Sequence, residues 1–64
     1  MANRLETIKH LDAYLNDLYQ EKQEVLHKSS NQEMDAAVSE LYLSTLDKEI
    51  VLIEDTLFTL RDMS

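Results

Sequence analysis

The chain has 64 residues, with thirteen Asp and Glu against six Lys and Arg, two His, and no Cys, Gly or Pro. That length allows one small domain at most; without cysteine it has no disulfide staples or thiolate metal sites, and without glycine it cannot build phosphate-cradling loops or strained nucleophile elbows. A net charge of −7 opposes nucleic-acid phosphate and anionic membrane surfaces, and the longest apolar run is four residues, far short of the roughly 20 of a membrane span.

The opening stretch, MANRLETIKHLD, carries no hydrophobic signal core, so the expectation is a soluble, cytoplasmic protein. From Leu5 the apolar residues step by three and four through Ile8, Leu11, Leu15 and Leu18 to Val25 and Leu26, the mark of a helix with one buried face. Asn3 is placed to cap it, with Glu6 three residues on in a capping-box-like arrangement. Leu11, Leu15, Leu18 and Leu26 are expected to cluster, with Tyr14 and Tyr19 on the flanks. Lys22 falls inside the stripe. Either its stem packs down while the ammonium reaches solvent, or it forms a buried pair with a carboxylate of a facing helix that specifies register.

HKSSNQEMD is the only break. Ser29, Ser30 and Asn31 favour local side-chain to backbone bonds, and His27 and Lys28 suit the negative end of a helix dipole. Ser30 to Glu33 reads S-x-x-E, a start signal for a second helix. The expected fold is all-α: an antiparallel two-helix hairpin, coiled-coil-like, with helix 1 over about 4–28, a loop at 29–31 and helix 2 over about 32–63. One continuous helix is the competing reading, since neither glycine nor proline forbids it. The second helix should outreach the first, leaving its end to overhang.

In that second helix Leu43, Leu46, Ile50, Ile53, Leu57 and Leu60 alternate by three and four, a coiled-coil seam. Met34, Ala37, Val38 and Leu41 suggest that the apolar face wanders before it settles. EIVLIEDTLFTL, residues 49–60, has more apolar sides than one seam uses. Val51 and Phe58, seven apart, make a second stripe, and Leu52 points elsewhere again. A two-helix hairpin has no element to cover them, so the expected partner-binding residues are Val51, Leu52, Phe58 and Leu57, with Asp55 and Asp62 as steering charges.

Nothing in the chain assembles a catalytic, cofactor or metal constellation. His10 and His27 are too far apart on one helix to share an ion, and Glu54 and Asp55 are adjacent and diverge. Charge is uneven: four bases and five acids precede Ser29, while two bases face eight acids after it. Ser44, Leu46, Asp47 and Ile50 resemble the second-helix motif of small aspartyl-phosphate phosphatases of sporulating bacteria. That family spaces its serine and aspartate by four, whereas Ser44 and Asp47 are three apart, so its catalysis does not carry over. LDKEIVLI, residues 46–53, is similar to the second helix of small type III secretion co-chaperones, which implies an acidic or neutral hairpin working with a helical-repeat chaperone. The overall plan resembles the plasmid copy-control hairpin that dimerises into a four-helix bundle and binds RNA, a role the charge opposes.

The expected function is a small non-enzymatic protein-protein interaction module (an adaptor, co-chaperone or inhibitor). It needs no cofactor and has no small-molecule substrate, nucleic acid or membrane as partner. The other chain is a second copy completing a four-helix bundle, or a different protein. The alternative is an acidic mimic of nucleic acid that occupies a basic protein groove. Chemistry on phosphoryl groups would have to rest on Asp47.

Overall fold

A computed structural model describes residues 3–63 and shows an antiparallel hairpin of two α-helices, α1 (Arg4–Ser30) and α2 (Ala36–Asp62). Each helix has 27 residues, so the rod of 45 × 16 × 15 Å is close to the length of either helix alone. The expectation of a longer second helix with an overhanging end is corrected. Arg61 Nη2 lies 2.9 Å from both carboxylate oxygens of Asp12, and Arg4 Nη1 donates to Met63 O at 3.1 Å. Among the described residues no helix is long and apolar enough to cross a membrane.

α1 begins where Asn3 caps it, its side chain accepting from Glu6 N at 2.9 Å. The turn departs from expectation. Ser30 does not cap α2; it is the last residue of α1. Asn31 N–H reaches His27 O, Gln32 N–H reaches Ser29 O, and Glu33 N–H reaches Lys28 O. The last two bonds, with Gln32 at φ 60°, form a Schellman stop. A non-glycine residue in this left-handed region pays a steric cost of roughly 1–2 kcal/mol. In a chain without glycine the turn has to bear that cost or shed the stop altogether.

α2 therefore starts four residues later than expected. Its cap is Asp35, whose carboxylate accepts from Ala37 N at 2.8 Å and Val38 N at 3.4 Å. The carboxylate also sits at the positive end of the helix dipole. Met34, expected on α2, lies instead in the connection and packs against the core.

The core is one seam. Leu18 and Val25 of α1 are buried against Leu46 and Ile50 of α2, with Leu57 buried further along. Leu15, Leu43 and Ile53 pack partly buried against this cluster, and Ile8, Leu11 and Leu60 are half-buried. Leu11, Leu18 and Val25 are seven apart, and so are Leu43, Ile50 and Leu57. This is the stepping of helices that coil round each other, whereas a straight helix drifts by about 20° per seven residues. The drift explains why Val25 is in the seam and Leu26, expected there, is exposed.

Of the four early residues expected on a face rotated from the seam, all but Met34 lie off it. Ala37, Val38 and Leu41 face outward, and the seam continues from Leu43 to a buried Ser39. Ser39 Oγ has no hydrogen-bond partner among the described residues. Its small side chain lets the helices close up near the turn, where a leucine would wedge them apart. Lys22, half-buried in the seam, reaches Asp47 Oδ1 at 2.6 Å across the hairpin, so the facing carboxylate is found but the pair is not a buried one. Both groups remain partly exposed, so the pair is worth about 0–1 kcal/mol.

Three substitutions check this account by urea unfolding. Asp35→Ala should cost about 1 kcal/mol, whereas Ser30→Ala should be close to neutral. Gln32→Gly should stabilise by about 0.5–1 kcal/mol, the relieved steric cost less the extra freedom given to the unfolded chain. Ser39→Ala should stabilise by about 1 kcal/mol, because it removes a buried hydroxyl and gains helix propensity.

Candidate interaction surface

The two helices differ on the sides they turn away from each other. On α1 the exposed outer positions carry Lys9, His10, Ala13, Asn16, Asp17, Gln20, Gln23, Glu24 and His27, and alanine is the only apolar residue among them. On α2 the outer side carries Phe58, Leu41, Leu52, Val51 and Val38, which are 74%, 71%, 66%, 54% and 54% exposed. This asymmetry arises in sequence. Beyond Ser39 the seam positions of α2 are filled by Leu43, Leu46, Ile50, Ile53, Leu57 and Leu60, so these five residues are apolar without serving the core.

Among the expected contact residues, Val51, Leu52 and Phe58 lie on this outer side, and Asp55 is exposed between Val51 and Phe58 with Asp62 one turn beyond. Leu57 does not belong with them. It is 3% exposed and fills the seam, because it is seven residues from Ile50. The expected contact residues did not include Val38 and Leu41, although both were placed on a face rotated from the seam. Their seven-residue spacing to Thr45 and Lys48, two plainly outward positions, is the signal that places them outside.

The apolar side chains are not continuous. Leu43, Ser44, Asp47, Lys48, Val51 and Leu52 line a shallow open groove along one side of α2. Phe58 stands beyond it, beside a smaller recess formed with Asp12, Leu15, Glu54, Leu57 and Arg61. Lys48 is the only base among the outward residues of α2. It follows Leu41 by seven residues and precedes Asp55 by seven, so the three lie on one line with Asp62. Neither of the hairpin's ion pairs among the described residues uses Lys48.

Much of the acidic excess holds the hairpin together. Tyr14 Oη donates to Glu49 at 3.3 Å, Tyr19 Oη donates to Glu54 at 2.7 Å, and Tyr42 Oη donates to Glu21. Each bond joins α1 to α2 along an edge of the seam. With Lys22–Asp47 and Arg61–Asp12, five carboxylates are thus engaged within the chain. Bases are scarce, so phenols supply the donors that Lys and Arg supply in most coiled coils.

All three phenols titrate above their ordinary value. For Tyr14 the main cause is the Glu49 charge, which opposes a phenolate beside it. For Tyr19 and Tyr42 it is the hydrogen bond to Glu54 or Glu21, which exists only while the phenol keeps its proton.

His27 Nε2 lies 3.0 Å from Asn31 Nδ2 at the end of α1, and His10 is exposed on its own. No group of three metal-ligating side chains gathers among the described residues. No protein-family model matches the sequence, and comparison with curated proteins and with solved structures finds no significant match.

The raised phenol values fix the direction of an alkaline effect. The tyrosine contribution is complete below the unfolded value of about 10 and is lost as pH rises through the higher folded values. Unfolding measured at stepped alkaline pH, with tyrosinate absorbance followed in parallel, should show stability falling there. Tyr19→Phe should lower stability below that range and make its alkaline decline shallower.

Proposed function

We propose that this chain is a non-enzymatic protein-binding module whose contact surface is the outer side of α2, centred on Val51, Leu52 and Phe58. One observation carries it: two helices of equal length share a seam, and α2 presents five large apolar residues on its free side, whereas the exposed leucines of α1, Leu5 and Leu26, fall in heptad register with Asp12 and Tyr19 at the edge of the seam. A need for solubility would make both free sides polar, as α1 is. The cost of exposing such side chains is offset when another chain covers them, at about 1.5–3 kcal/mol for each one fully buried.

The same surface disfavours the nucleic-acid mimic. A mimic needs carboxylates arrayed along one side, but five of them are turned to partners within the hairpin and Lys48 interrupts the outer line. Asp55 and Asp62 remain as exposed outer charges that orient an encounter. The work of the module is to hold, tether or block another chain. The hairpin resemblance to secretion co-chaperones fits that kind of task.

Photo-crosslinking tests the surface. A benzophenone side chain placed at Val51, Leu52 or Phe58 should give adducts with a protein chain, and the same group at Gln20 or Glu24 on α1 should not. Equal yields from both helices would overturn the assignment. The double variant Val51→Glu, Phe58→Glu should keep its helical circular dichroism and lose the adducts made from Leu52. Raising ionic strength should leave the wild-type adducts in place, whereas a carboxylate-led contact would be lost steeply.

A further inference from the structure

We infer that the occupant of the α2 surface is a second copy of this chain, packed antiparallel across a two-fold axis that passes between Val51 and Leu52. The inference rests on the binding role proposed above and specifies its partner.

The ground is the order of residues along the outer line of α2. A two-fold interface requires that if one residue meets another, the reverse contact is also made. Lys48 and Asp55 stand symmetrically about the midpoint between Val51 and Leu52. Antiparallel packing about that point brings Lys48 of each copy to Asp55 of the other, two equivalent ion pairs flanking an apolar centre. The same register sets each Phe58 opposite Thr45, with Ser44 beside it, so the largest exposed side chain meets small ones. The groove beside Ser44, Val51 and Leu52 leaves room for it.

Lys48 also weighs against a foreign partner with a basic rim. Such a partner would be drawn to Asp55 and Asp62 but would set like charge against Lys48 in the middle of the surface. A second copy turns that same lysine into a contact. Mutual repulsion of two chains of net charge −7 acts at longer range and is screened beyond about 8 Å at physiological salt.

Charge exchange with sedimentation equilibrium tests both the partner and the register. The wild-type chain should be a dimer in the micromolar to millimolar range. Lys48→Asp alone, or Asp55→Lys alone, should weaken it by at least about tenfold, since each turns two attractive pairs into two repulsive ones. An equimolar mixture of the two single variants should recover the dimer, and so should the double variant Lys48→Asp, Asp55→Lys. Both exchanged side chains are exposed, so the variants should retain wild-type circular dichroism. A wild-type chain that stays monomeric overturns the inference, as do single variants that dimerise undiminished or a mixture that does no better than its components. If the chain is monomeric yet Val51, Leu52 and Phe58 still crosslink to other proteins, the second copy is excluded and the broader binding role stands. If those positions give no adducts at all, both fail.

Discussion

The packing of Leu18 and Val25 against Leu46 and Ile50 fixes everything else in this protein. Those four side chains set the register of the hairpin, and with it which side of each helix is left over. Two helices can shield only one side of one another. Once the seam is chosen, α1 cannot also cover the outer side of α2, which stays exposed in the hairpin. The surface centred on Val51, Leu52 and Phe58 is therefore a consequence of the core, and it is as well defined as the core is.

The polar ties sharpen the register. Tyr14–Glu49 and Tyr42–Glu21 run along one edge, while Tyr19–Glu54 and Arg61–Asp12 run along the other, each joining heptad positions that face in an antiparallel pair. A slip of one turn would part all four. Each tie is exposed and individually weak, but together they discriminate among registers that an aliphatic seam alone tolerates. Tyrosine suits this task in an acidic chain because it donates to a carboxylate without adding positive charge. It keeps its proton throughout the neutral range, so the ties do not depend on physiological pH.

The seam of α2 was legible because six residues alternate by three and four without interruption, and Asn3 was legible as a cap because a short polar side chain precedes a periodic run. The turn was not. A left-handed stop is usually signalled by glycine, and here Gln32 takes that conformation, so the S-x-x-E pattern at Ser30 offered a more conventional start than the one adopted. Asp35 was an equally good cap by residue type and lies directly before Ala36 and Ala37. Only the position of the seam decides between the two. Leu26 and Leu57 show the other limit. Stepping of 100° per residue cannot tell Val25 from Leu26, and a residue such as Leu57 can be assigned to the core and to the surface alike until the partner helix is in place. The outer apolar residues were legible as a surplus, and the structure gives that surplus a location.

The surplus also bears on how the chain stays folded. A core of this size rarely supplies more than about 3–5 kcal/mol, and among the described residues five apolar side chains are buried, none of them completely. Covering Val51, Leu52 and Phe58 would contribute a free energy of the same order as that whole stability. Folding and association are then linked by mass action: a partner that binds only the folded hairpin stabilises it in proportion to the logarithm of the partner's concentration. On the proposed reading, the outer side of α2 would act as a second half-core, completed by the chain that covers it. Were the proposed contact made, its contribution would add to that of a seam in which Ser39 Oγ has no hydrogen-bond partner among the described residues and to that of a turn that holds Gln32 at positive φ.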